Sequence, residues 1–352
     1  MPRFHHADLL AFGQALLNAA GIPEADAQLT AGLLLKADLH GYPGHGITHI
    51  DSYVERVRVG LIRLDGVPTV VREGKSTAVM DGGFYVGQVV AHRAMNLAIQ
   101  KAEAHGIGMV AVRHSSHVGR VADYVEMAAE SGKIGFATVS VGGGNIAPYG
   151  GMEPVAGTNP VAYGIPGPDG EHIVFDCATS MMSMGELLRH VARKEPIPEG
   201  VMLDGYGHPT TEYEAFRGPP RGVMLPFGGH KGSGFHIMAE IFGGALTGNG
   251  IGRDWLDKGA SAVNGAIFEA IDVEEFQPLD EFRERIADLA AFVRSRKPAP
   301  GFDHISLPGD GARRRREQTL ANGVDLDDAG WKHLIECAES LTVTNLPKPV
   351  GT

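Results

Sequence analysis

Residues 108–141 read GMVAVRHSSHVGRVADYVEMAAESGKIGFATVSV, and this stretch decides the fold class. Gly108 to Val112 is a short apolar run of the kind that forms a buried strand. Val121 to Ala129 carries apolar side chains at helical spacing, and Ile134 to Val141 is a second apolar, β-branched run. Strand, helix and strand in succession place the chain among α/β or α+β proteins. The turn between the first strand and the helix reads His114-Ser115-Ser116-His117-Val118-Gly119-Arg120, not G-x-G-x-x-G. That motif occurs nowhere in the chain, although glycine is abundant at 49 residues. The dinucleotide fingerprint of a Rossmann fold is therefore missing.

Towards the N-terminus the pattern is helical. Leu9, Leu10, Phe12, Leu16 and Leu17 share a helix face, with Asp8 as the expected cap and Gly21 as the stop. A second helix is expected over Glu24 to Leu39, after Pro23. A third is expected over about Thr48 to Val59, with Ile50, Tyr53, Val54 and Val57 facing inward. Strands follow at Val67 to Arg72 and Thr77 to Met80, then a long helix from Val86 to Ala104. Towards the C-terminus, Gly142 to Tyr163 is rich in loops and Ile173 to Phe175 is a short strand. Helices are expected at Met184 to Ala192, Ser233 to Leu246, Asp280 to Arg294 and Asp327 to about Ser340. The C-terminal helix is expected to pack on the N-terminal ones. Residues 1–68 with 300–352 would then form a discontinuous helical domain and 69–299 a larger α/β domain.

Composition narrows the function. The net charge is −11, which argues against nucleic acid, since phosphate neutralisation needs clustered Lys and Arg. No stretch reaches the ~18 apolar residues of a membrane span, and Met1 to Ala20 has no secretory pattern. Only Cys177 and Cys337 are cysteines, so a reducing, cytoplasmic setting is expected. H-E-x-x-H, C-x-x-C and G-x-S-x-G are absent, and Gly228-Gly229-His230-Lys231-Gly232-Ser233 has the wrong order for a phosphate loop.

Sixteen histidines are present, and two have suggestive settings. His45 lies between Gly44 and Gly46, where a ligand has room to approach. An imidazole can exchange a proton near neutral pH. A surface histidine in a helix-to-helix turn fits the same sequence. His117 follows a strand and precedes a helix, a common place for anion contacts, although Ser115 or Ser116 as a helix cap explains the cluster equally well. His45 with His49, or His114 with His117, would be metal-ligand pairs only with a third ligand, and none is evident. Gly142-Gly143-Gly144-Asn145, Gly157-Thr158-Asn159-Pro160, Asp176-Cys177-Ala178-Thr179-Ser180 and Pro308-Gly309-Asp310 read as backbone-rich loops. Arg313 to Arg316 reads as a solvated helix face or a contact for cofactor phosphate.

Six of these segments, in order, resemble the malate/L-lactate dehydrogenase-like family of NAD(P)-dependent oxidoreductases: His45-Gly46-Ile47, His117-Val118-Gly119, Gly157-Thr158-Asn159-Pro160, Asp176-Cys177-Ala178-Thr179-Ser180, Lys231-Gly232-Ser233-Gly234 and Leu307-Pro308-Gly309-Asp310. The resemblance spans about residues 8 to 340 and is strongest to the bacterial hydroxycarboxylate dehydrogenase branch. It implies a non-Rossmann fold and a cytoplasmic homodimer with the active site near the subunit interface. It implies NAD or NADP bound by the 69–299 domain and interconversion of a 2-hydroxy acid with its 2-oxo acid. Family members assign the proton role to the histidine matching His45 or to the one matching His117. Cofactor contacts would fall on His45, Gly119, Arg120, Val121, Val174, Phe175, Asp176, Cys177, Ala178, His230, Lys231, Asn264, Gly309, Asp310, Gly311 and Ala312. Two departures stand out. The family usually has serine where Gly44 stands and often arginine where His49 stands, so Arg120 or His49 is left to bind the substrate carboxylate. Two other readings are a metal-dependent hydrolase or lyase built on the histidine clusters, and an inactive ligand-binding homologue.

Overall fold

The computed structural model describes residues 1–256 and 263–350. Its centre is a seven-stranded mixed sheet. At one edge β2 (Thr69–Glu73) pairs antiparallel with β3 (Thr77–Asp81), and β3 runs parallel to β4 (Ile107–Ser115). The crossover between them is α4 (Gly87–His105), as a parallel pair requires. β4 and β5 (Lys133–Val141) are not paired with each other. Between them, antiparallel to both, lies β11 (Asn264–Asp272). The sheet ends with β6 (Val161–Ile165) and β7 (Ile173–Cys177), and α5 (Ala122–Glu130) links β4 to β5.

The strand 264–272, NGAIFEAID, was not among the expected elements, although Asn264-Gly265 is a turn signal ahead of a short apolar run; its pairing partners lie far away in sequence. β6 begins inside the segment 142–163 that the sequence marks as rich in loops. The first helix, α1 (His6–Ala19), begins before Asp8, because the extended backbone of His5 lets its Nδ1 accept from Ala7 N at 3.3 Å. The expected Ser233–Leu246 helix is α8 (His230–Ala239) followed by a π-helical segment, Glu240–Ala245.

α2 (Glu24–Leu39) leads through two 3₁₀ turns, Pro43–His45 and Ile47–His49, into α3 (Ile50–Arg58). β1 (Arg3–Phe4) pairs with β12 (Val324–Asp325), and α12 (Asp328–Ser340) packs on α3. The chain ends are thus tied together. The core is continuous across these parts: Leu9, Leu34, Ile50 and Leu334 belong to the same buried cluster as Val89, Val110 and Phe268. The 1–68 plus 300–352 region therefore shares its core with the sheet. A second, smaller core of Ile146, Leu187, Met202, Phe216 and Met224 lies beneath a three-stranded sheet of β8 (Met202–Leu203), β9 (Pro209–Thr210) and β10 (Val223–Met224). Around it are α6 (Met184–Arg193) and α7 (Tyr213–Arg217); α9 (Gly252–Leu256), α10 (Leu279–Arg294) and α11 (Asp310–Asn322) complete the chain. Among the described residues no helix is long and apolar enough to cross a membrane.

Candidate active site

The two 3₁₀ turns after α2 are shaped by glycine. A Cβ on Gly46 would lie 1.9 Å from Asp38 Oδ1, so a side chain here would have to displace the Asp38 carboxyl. The Asp38 carboxyl occupies that space, accepting from Ile47 N at 2.7 Å, and burial pushes its pKa up to about 7. Gly44 meets α6 backbone to backbone: a Cβ there would stand 3.4 Å from Gly185 Cα, an ordinary contact distance. The result is that His45 and His49 project together towards the end of β4.

His117 sits there in a segment pinned at several points. Asn264 Oδ1 accepts from Val118 N at 3.1 Å, Tyr124 donates its hydroxyl to Val118 O, and Ser116 Oγ accepts from Gly87 N at 2.8 Å. Three imidazoles thus come together. The His45 and His117 rings are 5.5 Å apart and stacked nearly parallel at 10°, and His49 lies 6.3 Å and 5.6 Å from them.

The polar contacts differ among the three. Gln88 Nε2 donates to Tyr53 Oη at 2.7 Å, and Tyr53 Oη lies 2.7 Å from His117 Nδ1. With Gln88 donating to it, Tyr53 can pass its own single proton to His117 Nδ1, the arrangement that puts the His117 proton on Nε2. His49 Nε2 donates to Gly44 O at 2.6 Å. His45 Nδ1 is buried without a hydrogen-bond partner. Burial, helped by His49 and Arg120, pushes the His45 pKa down to about 4. Burial and the two neighbouring imidazoles hold His117 well below its ordinary value. Burial also lowers His49. All three are neutral at pH 7.

Beside this cluster lies a cavity of about 180 Å³ whose lining includes His40, Tyr42, Glu126 and Arg313. Of the residues expected to meet cofactor, Arg120, Val174, Phe175, Asp176, Gly309 and Ala312 also line it. Tyr42 bridges cavity and imidazoles: it is three residues from His45, and the Arg120 guanidinium lies 5.4 Å from its ring centre. Gly309, at the start of α11, adopts φ +96°, and a Cβ there would come within 3.3 Å of Val174 N. Asp176 accepts from Ala122 N at 2.9 Å. Cys177 follows Asp176 in β7, and burial with Asp176 pushes its thiol up to about 11, so it is no thiolate. Val121 and Gly119, with Gly119 at φ +76°, form the turn into α5.

The other expected residues stand apart or have structural partners. Asn264 lies at the start of β11, and its Nδ2 is buried without a partner. Asp310 is tied to Arg294 at 2.8 Å, to Arg313 and to Leu307 N at 2.9 Å, and Gly311 follows it in α11. His230 and Lys231 open α8 against Tyr149 and are not part of the cavity lining. Gly157-Thr158-Asn159-Pro160 forms a structural lock, since Asn159 bonds Val141 N at 2.9 Å and Glu240 at 2.8 Å.

The geometry bears against one expectation. The charge of Arg120 is already met by two carboxylates, since Nη1 bonds Asp123 at 2.6 Å and Nη2 bonds Glu126 at 2.7 Å. Burial alone would raise Glu126, but Arg120 and Lys36 outweigh it and hold its pKa down at about 2. Only the Arg120 Nε lacks a partner. His49, neutral and bonded to Gly44 O, offers no positive charge either.

The model of the malate/L-lactate dehydrogenase family matches residues 4–335. The chain belongs to the malate/L-lactate dehydrogenase family. Relatives within it include the L-sulfolactate dehydrogenase of Methanothermobacter thermautotrophicus, 36% identical over 93% of this chain and 94% of the relative. Hydroxycarboxylate dehydrogenase B of Escherichia coli K12 is 33% identical over 96% and 94%. The malate dehydrogenase structure from Pyrococcus horikoshii superposes with a TM-score of 0.88 at 34% identity, covering 97% of this chain and 96% of that one. Family membership carries a dehydrogenase chemistry and displaces the metal-dependent hydrolase or lyase reading. Among the described residues no group of three His, Cys, Asp or Glu side chains is arranged as a metal site.

Sequence reasoning overlooked Tyr53 as a polar group, and it overlooked Gln88, His40 and Tyr42. The spacing of His49 and Tyr53, four apart on one helix face, was a readable signal. Nothing local marks Gln88, which sits in an apolar helix and meets Tyr53 only through tertiary packing.

Proposed function

We propose that this chain interconverts a 2-hydroxy acid and its 2-oxo acid, with NAD or NADP as the hydride carrier. The observation that carries this reading is the Gln88–Tyr53–His117 hydrogen-bond chain beside a second imidazole, His45, whose Nδ1 is unpartnered; we take Tyr53 to donate to His117 Nδ1, which puts the His117 proton on Nε2. The cavity residues suit a nicotinamide cofactor: glycine backbone at Gly309, the unpartnered Arg120 Nε and the Asp176 carboxylate supply donors and an acceptor for phosphate and ribose. When bound, that cofactor supplies the hydride acceptor or donor for C2 of the substrate.

The protein's own part is proton handling and orientation. His117 presents Nε2–H as a fixed donor to the C2 oxygen. His45, neutral at pH 7, accepts the hydroxyl proton during oxidation and returns it during reduction. Positioned acid–base help of this kind contributes about 10²–10⁴-fold. A homodimer fits the exposed apolar face along α8 and its continuation, where Phe235, Met238, Ile241 and Leu246 are 46–58% exposed; a single soluble chain rarely leaves such a patch uncovered. We place the protein in the cytoplasm, where Cys177 and Cys337 would remain the free thiols seen here.

The test is a spectrophotometric screen of 2-oxo acids with NADH and NADPH, repeated on His45→Ala. Wild type should consume one or both cofactors, and the variant should bind NADH yet lose about 10²–10⁴-fold in kcat. Near-wild-type turnover by the variant moves the proton role to His117. Failure of wild type to bind either cofactor sinks the reading. Sedimentation should give twice the monomer mass; a monomer at micromolar concentration rejects the dimer.

A further inference from the structure

The pairing of Arg120 leaves the substrate carboxylate without its expected partner, and α3 supplies another. Arg56 lies three residues after Tyr53 and seven after His49, the spacing that places all three on one helix face. It is half-buried, and its Nη1 is shielded from solvent with no acceptor in reach. A guanidinium stays charged and presents a planar fork of donors matched to a carboxylate. Burying its N–H groups without an acceptor is unfavourable, so this position is primed for an anion.

Its charge also bears on the imidazoles. It disfavours protonation of His49 and His117, and burial lowers its own pKa. The nearby acid, Glu55, turns away and pairs with Arg58 at 2.8 Å.

We infer that Arg56 binds the substrate's C1 carboxylate, taking the role that neither Arg120 nor His49 can fill. With the carboxylate held there, the C2 oxygen would face the donor on His117 and the base on His45. The inference rests on the dehydrogenase reading and specifies how that site recognises an acid.

The experiment compares wild type, Arg56→Gln and Arg56→Lys. Each is assayed with the best reduced of pyruvate, oxaloacetate and 2-oxoglutarate, and with the matching 1-amide, in which the carboxylate is uncharged. NADH binding is measured separately by fluorescence. Arg56→Gln should raise KM for the acid about 10- to 100-fold, the loss expected for a charge-assisted bond. It should leave NADH affinity within about twofold and leave the KM for the amide unchanged. Arg56→Lys should recover part of the loss, because it keeps the charge without the fork. An unchanged KM for the acid in Arg56→Gln, or an equal rise for acid and amide, overturns the inference while the dehydrogenase reading stands. Wild type that binds no NADH removes that reading, and this inference with it.

Discussion

Replacing Tyr53 with phenylalanine isolates the polar contact that organises the site. Tyr53 is 1% exposed, and its Oη joins two bonds of 2.7 Å, one from Gln88 and one to His117. Phenylalanine keeps the ring packing but leaves Gln88 Nε2 and His117 Nδ1 facing each other across a gap. A buried group that loses its partner costs about 1–3 kcal/mol. Some of that is recovered if Gln88 reorients, since its Oε1 already lacks a partner. The expected loss of stability is therefore about 2 kcal/mol, a large share of the roughly 5–15 kcal/mol that holds a domain folded. His117 also loses the bond that keeps its proton on Nε2, so a fraction of molecules present a bare nitrogen to the substrate oxygen. We expect kcat to fall about 10- to 100-fold, which corresponds to roughly 1.4–2.7 kcal/mol of barrier. NADH affinity should not change. Urea unfolding and steady-state kinetics on the same preparation measure both effects. A variant within twofold of wild type in kcat refutes the assigned role of the chain, whatever its stability.

His45 predicts a pH effect on stability. Its folded pKa, about 4, lies below the unfolded value of 6.5, so the unfolded state takes up a proton first as pH falls. Stability is unaffected above about pH 6.5, falls between 6.5 and 4, and levels off below 4. The contribution is about 3 kcal/mol over that window at 1.36 kcal/mol per unit. Comparing wild type with His45→Asn at pH 7 and pH 5 by urea unfolding isolates it, and parallel pH dependences in the two proteins contradict it. Gly46→Ala should destabilise by about 2–4 kcal/mol, because its Cβ would displace the Asp38 carboxyl from Ile47 N, adding overpacking to a lost bond. A melting temperature equal to that of wild type would show that Asp38 moves aside at no cost.

Local pattern carried much of this protein. The helical N-terminus, the β4–α5–β5 succession, the absence of a Rossmann fingerprint and the glycine-bordered His45 could all be read from residues near one another in the chain. These features depend on periodicity and turn chemistry, which act over a few residues. The assembly of the site was decided by tertiary structure. β11, the strand at the heart of the sheet, carries only a short apolar run after Asn264-Gly265, and its place between β4 and β5 comes from pairing across the chain. Arg120 is the exception: its partners Asp123 and Glu126 lie three and six residues on, so its pairing was within local reach of the sequence. Gln88 became polar machinery only where α4 meets α3. Sequence fixes which groups a segment carries and how it prefers to bend; which groups remain unsatisfied, and so free for chemistry, depends on partners brought from far along the chain.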